Sequence, residues 1–164
     1  MENIDVKSLE KVLDVINKYP SVRVGHFSDS SIVVAKTIES FCKKYDIEYL
    51  LNATTKEYFE SVKDKIESVI YFNTNRQNFM MHGKFYDYLF VQMKMDDKET
   101  LLTKFHKIIK NAGLILIFVK SNDLSEIYEL ERLLEETLYV ATSKIEIDNN
   151  YSLIVSKKMH GWGK

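Results

Sequence analysis

The chain has 164 residues, 45% of them hydrophobic, with 23 Lys and Arg against 24 Asp and Glu for a formal net charge of -1. These values fit one folded domain spanning 1–164, and they exclude intrinsic disorder and a global electrostatic pull toward nucleic acid or anionic membrane. A lone cysteine, Cys42, excludes an internal disulfide and a multi-thiolate zinc site.

The opening "MENIDVKSLEKVLDVINKYP" is too charged for a signal peptide, and no apolar run nears the ~18 residues of a membrane span. The expectation is a cytoplasmic protein with no membrane contact. Leu9, Val12, Leu13 and Ile16 recur at helical spacing, which predicts an amphipathic helix over residues 7–18 ended by Pro20. "PSVRVGHFSDSSIVVAK" then reads as an apolar strand, "SVRVGHF", with Gly25 as the single glycine available to the short, mostly polar turn that follows, and then a helix. Val34, Ile38, Phe41, Cys42 and Tyr45 form that helix's buried stripe. "IEYLLN" is the next strand.

Thr54 with Glu57 is a capping-box pattern, opening a helix that turns Tyr58, Val62 and Ile66 inward. "SVIYFN" and "YDYLFVQM" are the third and fourth strands, the latter apolar enough for burial on both faces. Asp96 with Glu99 repeats the capping pattern ahead of a helix striped by Leu101, Leu102, Phe105, Ile108 and Ile109. "GLILIFVK", the most hydrophobic strand, belongs near the centre of a parallel sheet. Asp123 with Glu126 starts the last helix. "SKIEID" and "YSLIVS", joined at Asn149-Asn150, read as an antiparallel hairpin with a two-residue turn. Strands alternating with helices predict a parallel sheet with right-handed crossovers and helices on both faces.

From about Ser21 to Ser156 this succession resembles the class I S-adenosylmethionine-dependent methyltransferases. "FYDYLFVQMKMD" (Phe85–Asp96), a helix, and "NAGLILIFVK" (Asn111–Lys120) look like that family's fourth and fifth strands, with Asn-Ala-Gly as the turn into the fifth. The resemblance implies an α/β/α sandwich whose mostly parallel seven-stranded sheet ends in an antiparallel hairpin. It implies S-adenosylmethionine as cofactor; that no metal is expected follows instead from the absence of paired ligands. In the family's glycine-rich first motif only Gly25 matches; His26, Phe27 and Ser28 follow it, and Arg23 lies where an acid would sit. Asn52 stands where an acid holds the ribose hydroxyls, so the charge-assisted part of those bonds is lost, about half the strength of each. Asn73 or Asn75 falls where the adenine is bonded. No Asp/Asn-Pro-Pro-aromatic turn follows the fourth strand.

Residues 26–31 have two readings. In one, backbone N–H groups at the helix start, helped by His26, Ser28 and Ser30, hold a carboxylate or phosphate. In the other, Asp29 or Ser30 is simply the helix N-cap. His26, His82, His106 and His160 lack metal-ligand spacing, and His106 is expected to face solvent. P-loop, Gly-x-Gly-x-x-Gly and Gly-x-Ser-x-Gly motifs are missing. Basic residues interleave with aromatics in "TNRQNFMMHGKFYDY", which suits either single-stranded nucleic acid or core packing. The basic tail with Trp162 suits an anionic partner, a second copy or a frayed strand end.

The missing glycines, the missing ribose acid and the missing acceptor turn fall in one pocket. They favour a non-catalytic binding or interaction module with a degenerate cofactor pocket. The alternative is an active methyltransferase of unusual motif, its acceptor unspecified. There Gly25 and the amides of Ser28, Asp29 and Ser30 would hold the methionine end, Asn52 the ribose, and Asn73 or Asn75 the adenine.

Overall fold

Apolar runs bounded by polar turns become strands, and the periodic stripes between them become the helices that cover the sheet. The computed structural model describes residues 1–79 and 86–159. In chain order the elements are α1 (Val6–Val12), β1 (Arg23–Ser28), α2 (Ile32–Lys44), β2 (Glu48–Ala53), α3 (Lys56–Val62), β3 (Val69–Tyr71), β4 (Tyr86–Gln92), α4 (Lys98–His106), β5 (Ile109–Lys120), α5 (Leu124–Glu136), β6 (Tyr139–Glu146) and β7 (Tyr151–Lys158). The seven strands lie in the order β3-β2-β1-β4-β5-β7-β6. β1 to β5 run parallel, and β7 is antiparallel to both β5 and β6. This is the sandwich that the resemblance implied.

The two faces carry different cores. On one, Leu9 and Leu13 of the first helical segment and Val34 and Ile38 of α2 pack on Val24, Phe90, Leu116 and Leu153. Tyr58 and Val62 of α3 extend that face over Leu51 and Ala53. On the other, Leu102 and Phe105 of α4 and Leu130 and Leu134 of α5 pack on Leu89, Ile115 and Ile117. Beside them Phe27, Phe72, Phe79 and Phe105 form an aromatic cluster, with Phe27 edge-on to Phe72 at 4.9 Å and to Phe105 at 5.0 Å. Such pairs contribute about 0.5–1.5 kcal/mol beyond area burial.

Local chemistry moves several boundaries. The first helix stops at Val12 and tightens into a 3₁₀ turn over Leu13–Val15, because Asn17 N–H donates to the Tyr88 hydroxyl at 2.9 Å. The cap of α3 is Thr55, not Thr54: Thr55 Oγ1 accepts from Tyr58 N–H at 3.1 Å, whereas Thr54 donates to Ser28 O. Asp97, not Asp96, caps α4 by accepting from Thr100 N–H at 3.1 Å. Asp123 caps α5 as expected, accepting from Glu126 N–H. Ile108 and Ile109 lie beyond α4, and Asn111-Ala112-Gly113 sits inside β5 where the β4–β5 register shifts. Thr55→Ala should lower the unfolding free energy by about 1 kcal/mol and Thr55→Asp should restore most of it, as read by urea denaturation.

The hairpin loop is longer than two residues. It runs from Ile147 to Asn150, with Asp148 Oδ1 accepting from both Asn150 N–H and Tyr151 N–H at 2.8 Å. Asp148 Oδ2 accepts from Asp5 N–H at 2.8 Å, so the same carboxylate anchors the start of the chain.

Candidate functional site

In an open parallel sheet a ligand crevice forms outside the carboxyl ends of the strands, where the strand order reverses. Here the order reverses between β1 and β4, since β1 leads outward to β2 and β4 leads the other way to β5. The side chains at that point are Ser28, Asp29 and Ser30 after β1 and Gln92 at the end of β4.

Gly25 does not lie in that turn. It is the third residue of β1, paired with Leu50 on one side and Leu89 on the other. The Tyr86 ring lies over it, and a Cβ there would meet three ring atoms at 2.7 to 2.8 Å. The glycine makes room for an aromatic ring within the sheet. The turn proper, Asp29-Ser30-Ser31, contains no glycine; Ser31 takes the left-handed conformation at φ 71° instead. Neither Asp29 nor Ser30 caps α2. Ser31 does, its Oγ accepting from Val34 N–H at 3.2 Å.

The residues at the tip of β1 are turned into the protein. His26, Phe27 and Ser28 are fully buried. His26 Nδ1 lies 2.8 Å from the Tyr49 hydroxyl and Nε2 lies 3.0 Å from Gln92 Oε1. The neutral ring with its proton on Nε2 satisfies both contacts, donating to Gln92 and accepting from Tyr49. Burial pushes the His26 pKa down to about 4, against a smaller upward pull from the Gln92 hydrogen bond. Ser28 Oγ donates to Ser30 O at 2.7 Å.

The two loops that border the crevice are clasped together. Asp29 N–H donates to Gln92 O at 3.2 Å, and Asp29 Oδ2 accepts from Lys94 N–H at 2.9 Å. The start of the chain lies across the same edge. Gln92 Nε2 donates to Met1 Sδ at 3.5 Å, and Glu2 Oε1 accepts from Ile32 N–H, the first N–H of α2, at 2.8 Å. An intramolecular carboxylate thus occupies a helix N-terminus suited to an anion.

The other candidates stand apart. Asn52 is fully buried in β2, in register with Phe27 and so on the same face of the sheet. Its Nδ2 donates to Leu50 O at 3.4 Å. Its Oδ1 and the Tyr86 hydroxyl are buried side by side, short of hydrogen-bond geometry. Asn73 and Asn75 are exposed beyond β3, where Asn73 Oδ1 accepts from Asn75 N–H. The structure therefore gathers His26, Ser28, Asp29 and Ser30 around Gln92, and leaves Asn52, Asn73 and Asn75 outside that group. Gln92, Glu2 and Tyr86 were missed in the sequence. Gln92 had one signal: it is the only amide in β4 and follows the apolar run Leu89–Val91.

Arg76 stacks on the Phe72 ring at 4.4 Å and Phe79 is fully buried in the aromatic cluster, so this part of the basic-aromatic segment serves the core. Its His82 and Lys84, and His160 and Trp162 of the tail, lie outside the described residues. His106 does not face solvent; it is half-buried, with Nε2 3.2 Å from Leu138 O and its ring edge-on to Tyr139. Among the described residues no group of three or more His, Cys, Asp or Glu side chains could hold a metal ion, and no helix is long and apolar enough to cross a membrane.

No protein-family model and no curated protein matches the sequence. Solved structures do match the fold. A TehB-like SAM-dependent methyltransferase from Corynebacterium glutamicum superposes with a TM-score of 0.72 at 10% identity, covering 94% of this chain and 89% of that one. Precorrin-6y C5,15-methyltransferase from Geobacter metallireducens gives 0.71 at 12% identity, covering 96% and 92%. A SAM-dependent methyltransferase from Aquifex aeolicus gives 0.69 at 14% identity, covering 95% and 90%. The chain has the class I methyltransferase-like fold.

Proposed function

We propose that this protein is a binding module built on the methyltransferase fold, its cofactor crevice closed by its own residues, and that it does not transfer methyl groups. The observation that carries this reading is the Asp29 clasp: one residue bonds through its amide to Gln92 O and through its carboxylate to Lys94 N–H. A ligand entering between β1 and β4 would have to part those loops and displace Glu2 from the start of α2. The residues present do not fit S-adenosylmethionine well. Asn52 is packed inside the sheet rather than presented at its edge, and Gly25 is covered by Tyr86.

Thermal unfolding with S-adenosylhomocysteine tests this directly. A ligand at 100 times its dissociation constant adds about 2.7 kcal/mol, which in a domain of this size raises the midpoint by roughly 5–10 °C. No shift is expected at millimolar ligand. A shift of several degrees would instead support an active enzyme of unusual motif and would end the closed-crevice reading.

A further inference from the structure

A recess of about 510 Å³ opens at the opposite, amino edge of the sheet, around the start of β2, between residues of α2, the approach to β3 and the first residues of β1 and β4. Its size is that of ordinary ligand and peptide sites. The recess exists because β2 starts before its outer neighbour does. β1 pairs with β2 from Arg23↔Glu48, but β3 joins only from Leu51↔Val69. Among the described residues no strand lies beside the outer edge of Glu48, Tyr49 and Leu50. Glu48 N–H donates inward to Val22 O, and Leu51 N–H donates outward to Ser68 O. The alternation between them turns the backbone N–H and C=O of Tyr49 outward, into the recess.

We infer that this notch is where the module binds its partner: an extended peptide segment that adds a short strand beside Glu48–Leu50 and sets a lysine or arginine among the carboxylates of the rim. The inference rests on the binding-module reading above. Three residues of strand give a contact of about 10 Å, enough for backbone pairing with one or two side-chain pockets. The rim favours a basic segment. Arg23 pairs with Glu48 at 2.9 Å and Lys43 with Glu67 at 2.7 Å. That leaves Glu39 in excess, a buried carboxylate whose Oε2 accepts from Glu67 N–H at 2.8 Å. Tyr86 also lines the recess, its hydroxyl turned inward beside Asn52. The sheet's far edge is unsuited to the same role, because β6 is bulged between Val140 and Ser143 and carries Lys144 and Glu146.

The test is amide hydrogen exchange by NMR on the full chain with acetyl-Val-Lys-Val-Lys-Val-amide as probe. The Tyr49 amide should exchange about tenfold more slowly when the peptide is at ten times its dissociation constant. The same peptide N-methylated at alternate amides, or with Glu in place of Lys, should not protect it. Leu50→Trp, which places a large ring in the recess at a half-buried position, should abolish protection while the thermal midpoint confirms that the variant is folded. Unchanged Tyr49 exchange in the presence of the peptide overturns the inference, as does equal protection by the N-methylated probe or protection confined to β6. Slowing that follows protein concentration without peptide also overturns it, in favour of self-association. A midpoint shift with S-adenosylhomocysteine would remove the underlying reading while leaving Tyr49 exchange to be scored separately. Loss of Tyr49 protection in a protein that also ignores S-adenosylhomocysteine removes only the peptide site.

Discussion

Acidification from pH 6.5 to about 4 should remove about 3 kcal/mol of stability from the wild-type protein through His26 alone, and His26→Gln should escape that loss. The folded protein holds this ring neutral because it is buried, with the Gln92 hydrogen bond opposing only weakly. Once unfolded, the ring titrates at its ordinary 6.5. Between the two values the unfolded state binds the extra proton, so stability rises with pH across that window and is complete above it. Below about 4 both states are protonated and this group contributes no further slope. Glutamine keeps a donor and an acceptor for Gln92 and Tyr49 but adds no charge. Urea denaturation of both proteins at several pH values measures the effect as a difference, which cancels the carboxylates common to the two. Parallel pH profiles would show that His26 is protonated, or reached by water, in the folded state.

Gly25→Ala should destabilise the protein by about 1–3 kcal/mol, the usual range for overpacking a filled interior. A methyl at that position meets the Tyr86 ring at under 3 Å and must displace it. The loss should largely vanish in a Tyr86→Ala background, where the ring is gone, so the pair should be strongly coupled in a double-mutant cycle. Equal losses in the two backgrounds would mean that Gly25 serves the backbone rather than the ring. No loss in the wild-type background would mean that the ring turns aside freely into the neighbouring recess. The cycle also separates the two uses of this glycine, because a residue kept only for close approach of a cofactor has no reason to couple to Tyr86 in the unliganded protein.

Much of the architecture was legible in the sequence. β4 and β5 announce themselves as apolar runs, α5 as a stripe at helical spacing behind Asp123, and the last two strands as a hairpin around Asn149-Asn150. These are local signals, carried by side-chain period and turn chemistry over a few residues. Caps were displaced by one residue at Thr54 and Asp96 because both neighbours, Thr55 and Asp97, are also good caps, and only the chain's path chooses between them. The first helix was cut short by the Tyr88 hydroxyl, 71 residues away in sequence.

The candidate site was legible in part. His26, Ser28, Asp29 and Ser30 do converge, because they are consecutive at the end of one strand. The tie to Gln92 and Lys94 depends on β4 lying beside β1, and the tie to Glu2 depends on where the start of the chain crosses the sheet edge. Gly25 was read as a turn glycine, yet an aromatic ring from another strand accounts for it.

By itself, then, the sequence determined the alternation of strand and helix, the class of fold and the absence of glycine from the turn after β1, since each follows from periodicity and residue type at neighbouring positions. Only the tertiary structure decided that Asp29 ties the loops after β1 and β4 together, while among the described residues no strand lies beside the amino end of β2. Both depend on which strands become neighbours and on where each one starts, and these are set by long-range packing that no local window contains.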